Sequence, residues 1–122
     1  MSEKKAIIVV GHGSRSKDSI VEFDATVKSF RERVEGAKVE GAYMEIASPN
    51  IPTVLKKLVD EGCNSFLLIP YFLFTGIHIK EDIPEIIEEL KAQYPDIKLE
   101  LGKPIGAHPM IVDILVDRME NL

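Results

Sequence analysis

Short apolar runs rich in β-branched residues alternate along this chain with longer segments whose apolar residues recur at helical spacing. The 122 residues suit one domain of ordinary size, and the 45% of apolar residues supply enough side chains for one core. These observations predict an α/β fold, with a single domain over residues 1–122 built on a four-stranded parallel sheet with helices on both faces. Helical crossovers between parallel strands favour the flavodoxin-like strand order 2-1-3-4.

The first strand and the first helix have the clearest patterns. Residues 6–10 are a continuous apolar run ended by Gly11, as in a central strand covered on both faces. From Ser16 the apolar spacing becomes helical, and Gly36 stands where this helix is expected to stop. The predicted buried stripe consists of Ile20, Phe23, Val27, Phe30 and Val34.

The second strand is predicted to lie at a sheet edge, beside the first. Residues 38–44 form a weaker apolar run, because Gly41 interrupts it and charged residues stand within it. Asn50 is expected to cap the following helix. Pro52 fits the first turn of that helix, where a backbone N–H would have no partner, and Gly62 marks the end of the helix.

The second half of the chain continues the alternation. Residues 65–70 predict a third strand, apolar on both faces, and residues 82–85 have the form of a capping box that starts a helix at Asp82. Residues 97–101 predict the last strand. A last helix is expected from Pro109, with Ile111, Ile114, Leu115 and Met119 facing inward.

Composition narrows the range of functions. With 15 basic and 20 acidic residues, the formal net charge is −5, which argues against nucleic acid as a partner. The apolar runs are far shorter than a membrane span, so no membrane partner is expected. Cys63 is the single cysteine and cannot form an internal disulfide, which favours a reducing compartment and a cytoplasmic location.

The three histidines all follow strands of the predicted sheet. His12 follows the first strand, His78 lies after the third, and His108 lies after the fourth, while Glu45 follows the second. In open parallel sheets, ligands bind outside the carboxyl ends of the strands. We interpret His108, directly before Pro109, as a hydrogen-bonded loop or cap residue. His12, His78 and Glu45 are expected to converge, and imidazole with carboxylate suits divalent cobalt, nickel, iron or zinc.

Two loop segments accompany these candidates. Residues 11–15, Gly-His-Gly-Ser-Arg, lead from a strand into a helix N-terminus and can present amides to an anion. They match neither a P-loop nor a dinucleotide fingerprint, and a histidine phosphatase would need arginine where Gly11 stands. Residues 71–78 carry an apolar run past the third strand, either as core or as the wall of a cleft for a flat apolar ligand such as a macrocycle.

Together these motifs resemble the small archaeal type of sirohydrochlorin cobaltochelatase, one of the class II chelatases. The resemblance covers approximately residues 5–117 and rests on the segments 11–15, 44–45, 70–84 and 106–109. Such enzymes insert a divalent metal into a tetrapyrrole without ATP. Their larger members contain two similar halves, so the resemblance implies that this chain is one chelatase-like half and forms a homodimer.

The resemblance also implies roles for individual residues. His12 and His78 match the metal-binding histidines, and Glu45 matches an acidic residue of the cleft, so these three are the candidate catalytic residues. Candidate substrate-binding residues are Ser14, Arg15, Tyr71, Phe72, Phe74, Thr75, Gly76 and Lys80, with Lys17 nearby. The expected partners are sirohydrochlorin and a divalent metal, Co²⁺ or Ni²⁺, and no cofactor beyond that substrate metal is expected. A non-catalytic metal or tetrapyrrole carrier is the alternative, followed by a histidine-phosphatase-like hydrolase.

Overall fold

Four parallel strands form one sheet in the order 2-1-3-4, numbered along the chain, which confirms the predicted topology. The structure, a computed structural model, describes residues 2–13, 15–44 and 47–122, apart from the side chains of His78 and Ile79. The elements in chain order are β1 (Lys5–Gly11), α1 (Lys17–Arg33), β2 (Ala37–Tyr43), α2 (Ile51–Asp60), β3 (Ser65–Pro70), a π-helical turn (His78–Asp82), α3 (Ile83–Gln93), β4 (Lys98–Leu101) and α4 (Met110–Glu120).

The larger core lies on the sheet face covered by α2 and α3. Its side chains alternate along β1 and β3, as the two-residue period of a strand requires. Fully burying each such side chain stabilises the fold by about 1.5–3 kcal/mol. The largest fully buried side chains of this core are Ile8, Ile51, Leu55, Leu58, Leu68 and Ile83.

The opposite face of the sheet carries α1. Val27 packs there against Val9 and Val39, with the ring of Phe23 beside them. Gly41 gives this ring its space, because a Cβ atom on Gly41 would lie 3.0 Å from Phe23 Cε2. The glycine that interrupts the edge strand therefore serves helix packing.

Two predicted helix starts are confirmed by their caps. Ser16 Oγ accepts a hydrogen bond from the Ser19 amide at the start of α1. Asn50 Oδ1 accepts one from the Thr53 amide, at 3.0 Å, at the start of α2. Each side chain satisfies an amide that has no partner within the helix.

The predicted capping box at Asp82 is wrong. Asp82 has helical dihedral angles, φ −68° and ψ −47°, and its side chain makes no cap hydrogen bond. The cause is the preceding π-helical turn, His78–Asp82, which runs directly into α3. Because the chain is already helical at residue 82, no cap is needed there.

The last helix forms where it was predicted, but its predicted inward orientation is wrong. None of the residues of α4, all of which the structure describes, is buried. Leu115 is 63% and Met119 70% exposed, and Ile114 is also exposed. The apolar stripe is present in the sequence, but the rest of the described chain does not cover it.

In the described part of the chain, no helix has the length and apolar character needed to cross a membrane.

Candidate functional site at the carboxyl edge of the sheet

Backbone hydrogen bonds extend the sheet past the ends of its central strands. The Met44 amide donates to the Gly11 carbonyl, at 2.9 Å, and the Tyr71 amide donates to the Val10 carbonyl, at 2.7 Å. His12 directly follows Gly11 and is thus held between the ends of β2 and β3. This is the point where the strand order reverses, the usual place for a ligand in such a sheet.

His12 rests on a core aromatic residue. Its ring lies on the ring of Phe72, with 4.0 Å between the centroids and 30° between the planes. Phe72 is only 3% exposed, whereas His12 is exposed. A rigid buried ring therefore supports an imidazole at the rim of the sheet, which restricts the imidazole before any ligand arrives.

A cleft of about 210 Å³ opens beside His12. It lies between the end of the sheet and the first turns of α1. Gly13, with φ +97°, turns the chain there toward the helix, a conformation that favours glycine. The cleft is lined by Gly11, His12, Gly13, Ser19, Ile20, Phe23, Tyr43 and Tyr71.

Aromatic side chains form the apolar wall of this cleft. The ring of Phe23 lies 5.1 Å from that of Tyr43 and 5.7 Å from that of Tyr71, the second contact being edge-on at 88°. Both distances are typical of favourable aromatic pairs. Of these residues, only Tyr71 was a candidate from the sequence.

Tyr43 is a site residue that the sequence analysis missed. Its hydroxyl donates to Asp24 Oδ1 at 3.0 Å. Two causes raise the pKa of Tyr43 to about 12: burial is the larger, and the hydrogen bond to Asp24 is the smaller. The phenol therefore stays protonated at neutral pH. Tyr43 is the last residue of β2, so the strand-end rule that selected His12 would also have selected Tyr43.

The predicted aromatic wall at residues 71–74 is divided in the structure. Phe72 faces the core under His12, and Tyr71 lines the cleft. Phe74 is 83% exposed, and Thr75 and Gly76 are exposed beside it. The segment thus provides support from below, one cleft wall and a protruding apolar side chain, rather than one continuous surface.

The predicted cationic residues are all accessible. Arg15 and Lys17 flank the cap residue at the start of α1, and Lys80 lies in the π-helical turn, where its amide donates to the Gly76 carbonyl at 3.1 Å. Their role in substrate binding stays a prediction.

Several predicted residues lie outside the described part of the chain. Glu45 and Ser14 are not described, and only the backbone of His78 is, as the first residue of the π-helical turn. Among the residues that the structure describes, no three histidine, cysteine, aspartate or glutamate side chains form a group able to hold a metal ion. The convergence of His12, His78 and Glu45 therefore stays a prediction.

His108 has the structural role assigned to it. Its Nδ1 atom accepts a hydrogen bond from the Met110 amide at 3.1 Å, at the first turn of α4. The imidazole thus satisfies a helix-terminal amide, which confirms the interpretation as a cap residue.

The fold and this edge define an α/β protein whose candidate ligand site lies at the switch point of a parallel sheet. The family model described as CbiX matches residues 6–122. This chain belongs to the CbiX family, and the predicted resemblance is thereby confirmed at the level of the family.

This chain matches some curated relatives along nearly their whole length and others along about half of it or less. The sirohydrochlorin cobaltochelatase of Methanococcoides burtonii is 33% identical, over 97% of this chain and 96% of the relative. The chloroplastic sirohydrochlorin ferrochelatase of Arabidopsis thaliana is 31% identical, over 99% of this chain but 54% of the relative. The chain thus spans about half the length of several curated relatives that it matches.

A solved chelatase structure also matches this chain over about half of its own length. The sirohydrochlorin chelatase SirB from Bacillus subtilis subspecies spizizenii, in complex with cobalt, superimposes with a TM-score of 0.91 at 34% identity. The match covers 98% of this chain and 51% of SirB. The present fold therefore corresponds to about half of that chelatase.

Proposed function

We propose that this protein inserts a divalent metal ion into sirohydrochlorin without hydrolysing ATP. Membership of the CbiX family and the chelatase names of the relatives support this activity. The observation that carries it is His12, an exposed imidazole supported by the buried ring of Phe72 beside an aromatic cleft. This arrangement joins a metal ligand to a surface suited to a macrocycle.

The reaction exchanges two pyrrole N–H protons for one M²⁺ ion. The protein must therefore hold a partly dehydrated metal, present it to the ring and accept protons. In the proposal, neutral His12 and His78 hold the ion, because imidazole ligands bind it and are then replaced by the four ring nitrogens. Thiolates would bind the metal too tightly for this transfer, and the chain's only cysteine, Cys63, is buried.

Glu45, or one of the histidines once the metal has left, is the proposed proton acceptor, since a carboxylate or a neutral imidazole can take protons as they leave the ring. Tyr43 is a poor candidate for that role because its raised pKa keeps its proton in place. In this scheme, Tyr43 supplies a neutral, fixed wall of the cleft.

The aromatic wall is proposed to contact the face of the tetrapyrrole. Tyr71 lines the cleft, and Phe74, three residues further along the chain, is exposed, so both offer apolar area to a flat ring. Sirohydrochlorin also bears carboxylates. Arg15, Lys17 and Lys80 are the proposed partners for these groups, together with Ser14, Thr75 and Gly76 along the two loops.

Cobalt is the metal proposed for this chain, with nickel as the alternative. The cobaltochelatase name of the Methanococcoides relative supports cobalt, while other relatives are named ferrochelatases. Nitrogen and oxygen ligands bind nickel at least as well as cobalt in the Irving–Williams order. Ligand chemistry alone therefore does not select the metal, and the product would enter cobalamin or F430 synthesis accordingly.

The active form is proposed to be a cytoplasmic homodimer. One copy offers a single sheet edge, which leaves the other face of a bound macrocycle in water. Relatives about twice as long match this chain over half of their length, which supports a cleft built from two such units.

Anaerobic incubation with sirohydrochlorin and Co²⁺, Ni²⁺ or Fe²⁺ tests the activity, with insertion followed by the absorption spectrum of the tetrapyrrole. We expect catalytic turnover with Co²⁺, and the relative rates rank the metals. A spectrum that changes only in proportion to protein concentration, without turnover, would identify a carrier instead. No change in the spectrum with any of these metals would contradict the chelatase proposal.

A further inference from the structure

The last helix carries an apolar surface that its own chain leaves uncovered. Around the helical circle, the apolar side chains of α4 form a broad stripe centred on Leu115, and its three acidic side chains gather on the opposite side. The exposed members of the stripe are Met110, Val112, Ile114, Leu115, Val116 and Met119. Exposed apolar patches of more than about 300–600 Å² are unusual on a monomer and mark interaction sites.

A second uncovered apolar surface lies on the sheet face that carries α1. It is a groove of about 300 Å³ between α1 and β3, in which Phe30 and Ile69 stand on opposite sides. The other lining residues are Val9, Thr26, Val27, Tyr71 and Ile105, and no residue of α4 is among them. In a doubly wound sheet, a second helix beside α1 covers this position. Here the chain provides the helix and the groove separately.

The linker between β4 and α4 keeps the helix at the carboxyl edge. Its amides at Gly102, Ile105 and Gly106 donate to the carbonyls of residues 68, 70 and 72. At Gly106 the backbone passes so close to the Leu73 carbonyl that a Cβ atom would collide with it. The linker therefore follows β3 to the same edge as His12, and α4 starts there.

We infer that α4 of one copy occupies the α1–β3 groove of a second copy, and that the exchange is reciprocal. The six exposed side chains amount to on the order of 600 Å² of apolar surface per helix, against the roughly 800 Å² per partner of a standard interface. The groove of the same copy adds to this area, so the contact lies within the range of standard interfaces, about 600–1,000 Å² per partner. No other protein is required, because each copy carries both halves of the contact.

This inference adds to the proposed homodimer the contact that would hold it together. Because α4 begins at the carboxyl edge, a partner bound through α4 lies beside that edge. The same contact that buries the apolar surface of α4 would then bring the carboxyl edges of the two copies together. The inference rests on the proposed homodimer, but cross-linking and sedimentation detect the contact whether or not metal is inserted, so the two proposals can fail separately.

Mixed cysteine variants test the exchange directly. Thr26→Cys places a thiol on the groove, and Leu115→Cys places one at the centre of the stripe. The two variants, one with a longer tag, are mixed and oxidised with copper-phenanthroline, and native Cys63 stays buried. We expect a heterodimer band on a non-reducing gel. Its absence would overturn the inference, as would an internally closed monomer from the double variant.

Sedimentation equilibrium provides the second measurement. Leu115→Asp is expected to weaken dimerisation at least about 30-fold, as for an interface hot spot. Val21→Asp is the matched control, because Val21 is equally exposed, at 65%, but lines neither surface. Equal dissociation constants for the two variants would contradict the exchange. If Leu115→Asp is monomeric and wild-type protein lacks insertion activity, the interface stands and the proposed function fails.

Discussion

At the scale of single residues, the site depends on an imidazole placed over a buried ring. Phe72 belongs to the core and cannot move without disturbing it, so it restricts the exposed ring of His12. The restriction lowers the entropy lost when His12 binds a metal. A core residue thus contributes to the site without itself offering an open face to the ligand.

Replacement of His12 by alanine tests its role as a metal ligand. His12→Ala is expected to lower the insertion rate by at least about 100-fold. Even replacement of a residue that only hydrogen-bonds to a metal ligand lowers metal affinity or activity by about 10–100-fold. Its melting temperature is expected to stay near the wild-type value because His12 is exposed. Insertion rates and circular dichroism melts check both points.

His108→Ala is the matched control for this prediction. It removes an imidazole from the same edge but also an acceptor for the Met110 amide. We expect nearly unchanged insertion and a small loss of helix stability, about 1 kcal/mol or less. An equal loss of insertion in both variants would show that His12 has no special role.

The buried phenol of Tyr43 gives a pH-dependent prediction. Its folded-state pKa of about 12 lies above the ordinary value near 10. Its contribution to stability is therefore fully present below pH 10 and is lost as the pH rises toward 12. Tyr43→Phe is expected to lower the free energy of unfolding by about 1 kcal/mol at pH 7, since it removes one hydrogen bond.

Urea unfolding of Tyr43→Phe and wild type at pH 7 and pH 10.5 measures this difference. We expect the two free energies to approach each other at the higher pH. A tyrosinate absorbance step near pH 12 should also be missing from the variant. A constant difference between the proteins would contradict the raised pKa of Tyr43 in the folded state.

At the scale of elements, the contact between α1 and the sheet depends on a missing side chain. Gly41→Ala would place a Cβ atom 3.0 Å from Phe23 and 3.2 Å from Val27, so these two side chains of α1 must give way by a few tenths of an ångström. We expect a loss of about 1–3 kcal/mol in the free energy of unfolding, the usual cost of overpacking. Chemical denaturation measures this loss.

Gly76→Ala is the control for this substitution, because nothing lies within 4 Å of an added Cβ atom there. Its stability should stay within about 0.5 kcal/mol of wild type. Equal effects at Gly41 and Gly76 would show that α1 is not seated against the glycine.

The elements also show how far sequence patterns reach. The caps at Ser16 and Asn50 were predictable because each depends on atoms three residues apart. The start of α3 was not, because the capping-box pattern at Asp82 is the same whether or not a helical turn precedes it. Local sequence identifies a helix better than it identifies the first residue of that helix.

The last helix shows a different limit. Its apolar stripe was predicted correctly, but Leu115 and Met119 are exposed. Hydrophobic periodicity indicates that a face of a helix will be buried, and it carries no information about which chain buries it.

A similar limit of sequence patterns applies to the candidate site. The strand-end rule selected His12 and would also have selected Tyr43, but it does not predict that Tyr43 packs against Phe23 in the cleft.

At the scale of the whole molecule, the proposed cleft requires two copies, and this requirement has a kinetic consequence. A half-site on one copy contacts one face of the macrocycle, so a separated subunit should not complete insertion. The rate per subunit is therefore expected to be constant at high protein concentration. It should fall in proportion to concentration once the dimers dissociate. Insertion assays over a dilution series, with sedimentation equilibrium over the same range, compare activity with the dimer fraction.

The two copies of the site can be distinguished by joining them. We consider a tandem fusion of two copies, with His12→Ala in one of them. If one intact set of ligands serves the shared cleft, this fusion should stay active even at dilutions at which wild-type dimers separate. The matched control is the unmutated fusion, which sets the full rate. A fusion with both copies altered should be inactive. If wild-type protein kept its full rate per subunit at concentrations where sedimentation detects only monomers, one sheet edge would suffice for insertion, and the shared cleft would be wrong.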